Sequence, residues 1–183
     1  HKVNSVISAA RVNLLDAILA NSDQEDLGFN KSAYPPEKSI YYTLLRETGI
    51  HHKDTDGQYI FGSPTCNVTE LWDECCKFVQ SSTDKPRKLS ELIKILKSAP
   101  FKLKQGVIDF WLPIFLYIKQ QDFALYEGDR FVLSITKEVF EILQKHPNEF
   151  SVKSYNVSGV KADFFKKYRQ FFHKDDTISI QGD

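Results

Sequence analysis

The apolar positions along this chain change period several times, and each change marks an element. Val3, Val6, Ile7, Ala10, Leu14, Leu15, Ile18 and Leu19 recur three and four apart, which predicts a first helix over 2–20. Asn21 to Gly28 is acidic and polar and reads as a loop. Pro35-Pro36-Glu37 opens a second helix, because a proline in the first turn has no intrahelical bond to lose. Ile40, Tyr41, Leu44 and Leu45 form its apolar side, and Gly49 supplies the stop. His51 to Phe61 is predicted as a hairpin around Asp56-Gly57, a dipeptide suited to a tight turn. From Val68 to Gln80 helical spacing returns, with Leu71, Trp72, Cys75, Phe78 and Val79 inward and Asn67 or Thr69 as cap.

The second half repeats the alternation of helix and hairpin. Leu89, Leu92, Ile93 and Leu96 predict a helix that Ala99-Pro100 ends, since proline disfavours the α region for its predecessor. A basic turn, 101–106, leads into Val107–Ile118, which is apolar on nearly every face. That run is shorter than the roughly 20 residues a bilayer crossing needs, so it is predicted as a buried central helix, kinked at Pro113. Two apolar strands flank Gly128-Asp129, the pattern of a two-residue hairpin turn. Thr136 then caps a helix that Pro147 ends, and Phe150–Val157 alternates as a strand able to pair with the hairpin. Beyond it, 160–172 is amphipathic and basic, with Phe164, Phe165, Tyr168, Phe171 and Phe172 as an aromatic stripe.

These elements predict a mainly α chain with small β-hairpins, of the α+β class. Helix, turn, helix, hairpin is a winged-helix-like order. The first half also runs helix, helix, hairpin, so two such modules in tandem, or one carrying an N-terminal helical layer, both fit. The expected division is a helical module with a hairpin over 1–82, a polar linker over 83–88 broken by Pro86, a winged-helix-like module over 89–157, and a C-terminal helix and tail over 158–183.

Composition narrows the class. With 42% hydrophobic and 13% aromatic residues there is ample material for a core. Twenty-four basic side chains balance 24 acidic ones, which is unlike a globally basic nucleic-acid binder. The chain begins at His1 and has no methionine, so it is expected to be a segment of a longer protein. Cys66, Cys75 and Cys76 are odd in number with two adjacent, which fits neither a disulfide framework nor a metal site. A reduced, intracellular, cytoplasmic setting is expected, without membrane contact. Asn67-Val-Thr69 and Asn156-Val-Ser158 match the glycosylation pattern only as a short, common triplet would.

Candidate chemistry is sparse. His51 and His52, with Asp54 and Asp56 nearby, point to opposite faces of a strand and cannot easily share an ion. They are expected to be solvated hairpin residues. Glu70, Asp73 and Glu74 read as a charged solvent face. Phosphate loops, dinucleotide glycine motifs and serine elbows are all missing, so neither catalysis, cofactor nor metal is expected. Between Lys85 and Arg130 there are nine basic residues against five acidic ones, centred on the turn before the apolar helix. Lys102, Lys104, Lys119 and Arg130 are therefore candidate contacts to nucleic-acid phosphates. Base reading by the following helix is not expected, because it lacks groove-reading polar side chains and its Asp109 has the wrong sign. The aromatic stripe from Phe164 to Phe172 is either core or a contact with another domain of the parent protein or a subunit.

Several motifs carry a family likeness. Tyr34-Pro-Pro-Glu-Lys-Ser-Ile-Tyr41, Leu45-Arg-Glu-Thr-Gly-Ile50, the run from Ala99 to Ile108, Ala124-Leu-Tyr-Glu-Gly-Asp-Arg-Phe-Val132 and Pro147-Asn-Glu-Phe150 span most of 34–157. Together they resemble winged-helix segments of very large bacterial P-loop ATPases, such as those of BREX-type phage-defence systems. The resemblance implies a non-catalytic interaction or regulatory segment of a larger intracellular ATPase. The alternative is a winged-helix module that contacts DNA phosphates. Lys102 stands where the turn would be expected to hold a glycine, and no nucleotide-binding motif is present to carry over.

Overall fold

Helix α5, Gln105–Lys119, is surrounded by the rest of the chain from Ile108 to Leu116, with its first turn exposed. The computed structural model describes residues 5–155, so the expected aromatic stripe Phe164, Phe165, Tyr168, Phe171 and Phe172 lies outside the described residues. Ahead of α5 come α1 (Ser5–Ala20), α2 (Pro36–Tyr41), α3 (Thr69–Gln80) and α4 (Leu89–Lys97), and α6 (Lys137–Lys145) follows it. A small hairpin joins β1 (His51–Lys53) to β2 (Tyr59–Phe61). A second antiparallel sheet of four strands has the order β3-β6-β4-β5, with β3 at Arg87–Lys88, β4 at Phe123–Glu127, β5 at Arg130–Val132 and β6 at Phe150–Ser154. The fold is α+β.

The middle of the central helix is apolar because it is covered on all its faces. Ile114, Phe115 and Leu116 are at most 1% exposed, and Trp111 meets Trp72 of α3 edge-to-face with ring centroids 6.2 Å apart. Pro113 lies inside α5 and cannot donate to the carbonyl of Asp109; Gln144 Nε2 of α6 donates to that oxygen instead, at 3.5 Å. Arg11 faces Asp109 and Leu19 sits beside Tyr117, so α1 and α5 run parallel. Lys137 meets Asp16 while Gln144 meets Asp109, so α6 runs antiparallel to both.

Several local expectations are corrected by longer-range bonds. The hairpin at Asp56-Gly57 has a five-residue loop, 54–58, rather than a two-residue turn. Asp54 accepts bonds from the backbone N–H groups of Asp56 and Gln58, and this side-chain cap outcompetes the tighter turn. At Gly128-Asp129 the turn does have two residues, with Glu127 opposite Arg130 and Gly128 at φ 58°. Helix α3 begins after Val68 without a side-chain cap, because Asn67 adopts φ 61° and turns away. Arg87 and Lys88, expected in a linker, form a strand paired with Ser151 and Val152. Beside them the buried Ser82 hydroxyl donates to Val79 O and accepts from Ser154 N, at 2.5 and 2.9 Å. Residues from both expected modules, Leu14 and Tyr41 among them with Leu96, Phe115 and Val152, belong to one hydrophobic core.

Candidate functional site

The lysines around the α4–α5 turn are brought to one surface by two local devices. In α4 the apolar residues Leu89, Leu92, Ile93 and Leu96 face the core, which leaves Lys94 and Lys97, one turn apart, exposed. The chain then reverses through 98–104, where Lys102 N donates to Ser98 O and Leu103 N donates to Leu96 O. Lys102 takes φ 49°, the left-handed region that glycine favours, at a cost of about 1–2 kcal/mol for a residue with a Cβ. Leu103 is partly buried against the core, while Lys102 and Lys104 both point to solvent.

Charge at this surface is not neutralised. Among the described residues none of Lys94, Lys97, Lys102 and Lys104 forms an ion pair. The acids that could offset them are already engaged. Arg87 binds Glu91 at 2.7 Å and holds its carboxyl below the usual carboxylate range. Asp109, the one acid on α5, accepts from Gln105 at 2.6 Å and pairs with Arg11 at 3.4 Å. The first turn of α5 starts at Gln105, so its partial positive charge adds to that of the lysines.

Of the four residues expected to contact phosphates, Lys102 and Lys104 meet on this surface. Lys119 stands at the far end of the 15-residue α5, about 21 Å away at 1.5 Å per residue, and is paired with Asp122. Arg130 is exposed at the tip of the β4–β5 hairpin, where Gly128 N donates to Glu149 O. Lys94 and Lys97 belong to the same basic excess between Lys85 and Arg130, and their spacing on the polar side of α4 is the signal that places them here.

A second polar cluster lies in the N-terminal half. His51, expected in solvent, is 2% exposed. Its Nε2–H donates to Ser22 O at 3.0 Å, and its Nδ1 accepts from the Tyr41 hydroxyl at 2.7 Å. Phe61 and Tyr59 pack against its ring. The residue is buried because β1 turns it under the α2 helix, a long-range contact invisible in the local pattern. Burial holds its imidazole below the ordinary value, so it is neutral, and with both nitrogens engaged it has no free site for an outside proton or ion. His52 takes the opposite face, as alternation requires, with its Nδ1–H donating to Gly49 O at 2.8 Å.

Next to it, Glu25–Gly28 forms a left-handed turn in which Asp26 and Leu27 both have φ 51° and Gly28 has φ 71°. The Asp26 carboxylate accepts from Arg46 at 2.8 and 3.0 Å and from the Tyr42 hydroxyl at 2.8 Å. Lys38 is 2% exposed and donates to the carbonyls of Asn30, Lys31 and Ala33, with the Tyr34 ring 4.6 Å from its nitrogen. These groups satisfy one another and fasten the 21–34 loop to α2.

The three cysteines differ in exposure, with Cys75 inward as its helical position predicts. Cys75 is buried and accepts from Trp111 Nε1 at 3.4 Å, Cys76 is half-buried, and Cys66 is exposed. Burial pushes the Cys75 thiol up to about 12. Among the described residues no group of three His, Cys, Asp or Glu side chains is placed to hold a metal, and no helix is long and apolar enough to cross a membrane. Comparison with known protein families, characterised proteins and solved structures finds no match to this chain.

Proposed function

We propose that this chain is a non-catalytic, winged-helix-like interaction module that holds nucleic-acid backbone phosphates on the lysine surface of the α4–α5 turn. The observation that carries this reading is the cluster Lys94, Lys97, Lys102 and Lys104: four exposed cations without an ion pair among the described residues, around a backbone position held left-handed. Strained, exposed positions of this kind favour a functional reading over a purely structural one. The winged-helix reading takes α3, α4 and α5 as its three helices. It is supported by β3 standing between α3 and α4, and by β6 lying between β3 and β4 in the sheet. On this reading β5 and α6 are insertions before the last strand, and α1 with α2 and the first hairpin is an added layer.

From Ile108 to Leu116 α5 is buried apart from Asp109, and its exposed first turn carries no arginine, lysine or asparagine to read bases, so binding is independent of base sequence. In a larger protein, such as the P-loop ATPases the sequence resembles, such a surface would couple the parent activity to nucleic acid. The test is binding of the full chain to duplex and single-stranded DNA of several sequences across a salt series. About four phosphate contacts give a slope of log affinity against log salt of roughly −3 to −4, whatever the sequence. A variant with Lys94, Lys97, Lys102 and Lys104 all changed to Ala should lose that affinity while keeping its fold. Absent binding at low salt, or unchanged binding by the variant, overturns the proposal and leaves a protein partner as the reading to pursue.

A further inference from the structure

An antiparallel sheet with one face on a core leaves the other to solvent, and alternation along each strand assigns the side chains. Leu125 and Val152 lie in the hydrophobic core and Val132 packs against it, so their chain neighbours point outward. The register then lines up Lys88, Ser151, Tyr126 and Phe131 across the outer face, on β3, β6, β4 and β5 in turn. At about 4.8 Å per strand that row is about 14 Å long. Two residues along β6, Lys153 stands opposite Ala124, and Leu133 carries this second line past β5 at 58% exposure. The face is basic and aromatic. Lys88 is exposed, Lys153 half-buried and Phe131 41% exposed. Among the described residues neither lysine forms an ion pair. Acids are kept off these rows: Glu127 points to the core side by alternation, Asp129 lies in the hairpin turn, and Asp122 ahead of β4 pairs with Lys119. The rings of Tyr126 and Phe131 meet with centroids 5.9 Å apart and planes at 64°, which fixes both against the sheet. Between rings and lysines stand Ser151 and Ala124, small and each 5% exposed, so the middle of the face is low enough for a polymer to lie across it.

We propose that this outer sheet face is a second nucleic-acid site, one for single strands, with a base stacked on the Tyr126–Phe131 pair and Lys88 and Lys153 on the neighbouring phosphates. Charge complementarity selects the occupant: two uncompensated cations beside two rings match a chain that alternates anionic phosphate with flat base. A duplex fits less well. A face four strands wide does not enter a groove that admits a two-stranded ribbon, and paired bases are stacked on one another, which closes their flat faces to these rings. Stacking on a ring tolerates any base, so the site discriminates strandedness far more than sequence. It is also separate from the lysines of the α4–α5 turn. Helix α4 packs on the core side of the sheet through Leu92 and Leu96, so this site stands or falls independently of that one.

Fluorescence anisotropy of a labelled oligothymidylate and of a matched duplex, titrated with the full chain at low salt, tests this. Phe131→Leu keeps an apolar side chain on the exposed edge strand but removes the ring. It should weaken single-strand binding at least about fivefold and leave duplex binding unchanged. Phe131→Tyr, which keeps a ring, should bind as the original chain does. Lys88→Gln/Lys153→Gln should lower the slope of log single-strand affinity against log salt by about 1.4, and this variant decides if Phe131→Leu does not fold. A single strand that does not bind overturns the proposal, as does unchanged single-strand binding by Phe131→Leu. So does single-strand binding lost only when Lys94, Lys97, Lys102 and Lys104 are changed to Ala, which would assign both nucleic acids to the α4–α5 turn.

Discussion

The left-handed turn at Asp26 gives the sharpest test of the network that holds the N-terminal half together. Asp26→Ala removes the acceptor of one tyrosine and two arginine hydrogen bonds. The bond from Tyr42 to a charged carboxylate contributes about 1.5 kcal/mol. The Arg46 side chain is about half exposed (49%), so its pair with Asp26 is screened by water and contributes only about 0.5–1 kcal/mol. An alanine forced to φ 51° adds part of the 1–2 kcal/mol left-handed cost that Asp tolerates better. The total is a loss of about 3 kcal/mol, or a fall in Tm of about 6–12 °C for a chain of this size. Thermal and urea unfolding followed by circular dichroism would measure it. Asp26→Gly supplies the discriminating control. Glycine elsewhere destabilises relative to alanine by about 0.5–1 kcal/mol through the entropy of the unfolded chain. Here it loses the same bonds but escapes the left-handed cost, so Asp26→Gly should be at least as stable as Asp26→Ala. A cost below about 0.5 kcal/mol for Asp26→Ala, or a glycine variant clearly the weaker of the two, would refute this role for Asp26.

Two further outcomes follow from buried titratable groups. His51 is held below its ordinary value by burial, so the unfolded chain takes up the proton first; stability should be full above about pH 6.5 and fall as the pH drops through the lowered folded value. Urea titrations at pH 7.5 and pH 5 should show this loss, and a His51→Gln variant that keeps the same pH slope would show that another group causes it. At pH 8 a thiol reagent should modify the exposed Cys66 promptly and Cys75 only when the chain unfolds, since burial holds the Cys75 thiol near 12; native-state modification of Cys75 at the rate of Cys66 would contradict its packing against Trp111.

The sequence by itself determined the helices and the two hairpins, because helix and strand periods are local, but not strand β3, which exists only through its pairing with β6. The run from Val107 to Ile118 is apolar on nearly every face, and the structure buries Ile108 and every residue from Phe110 to Leu116. Gly49 at φ 77° and Gly128 at φ 58° end a helix and turn a hairpin where glycine made those conformations cheap. The basic turn at Lys102 and Lys104 was legible too, because a charge excess is a property of the chain. Tertiary structure decided what those elements meet. No local signal shows that Asp109 would pair with Arg11, 98 residues away. His51 looked like a solvated hairpin residue until α2 and the Ser22 carbonyl closed over it. The left-handed Asp26 was equally hidden, since it is held by Arg46, 20 residues along the chain, whereas the turn at Lys102 is closed by nearby bonds to Ser98 and Leu96. Period and composition are written residue by residue, but burial and charge compensation belong to pairs that only the folded chain brings together.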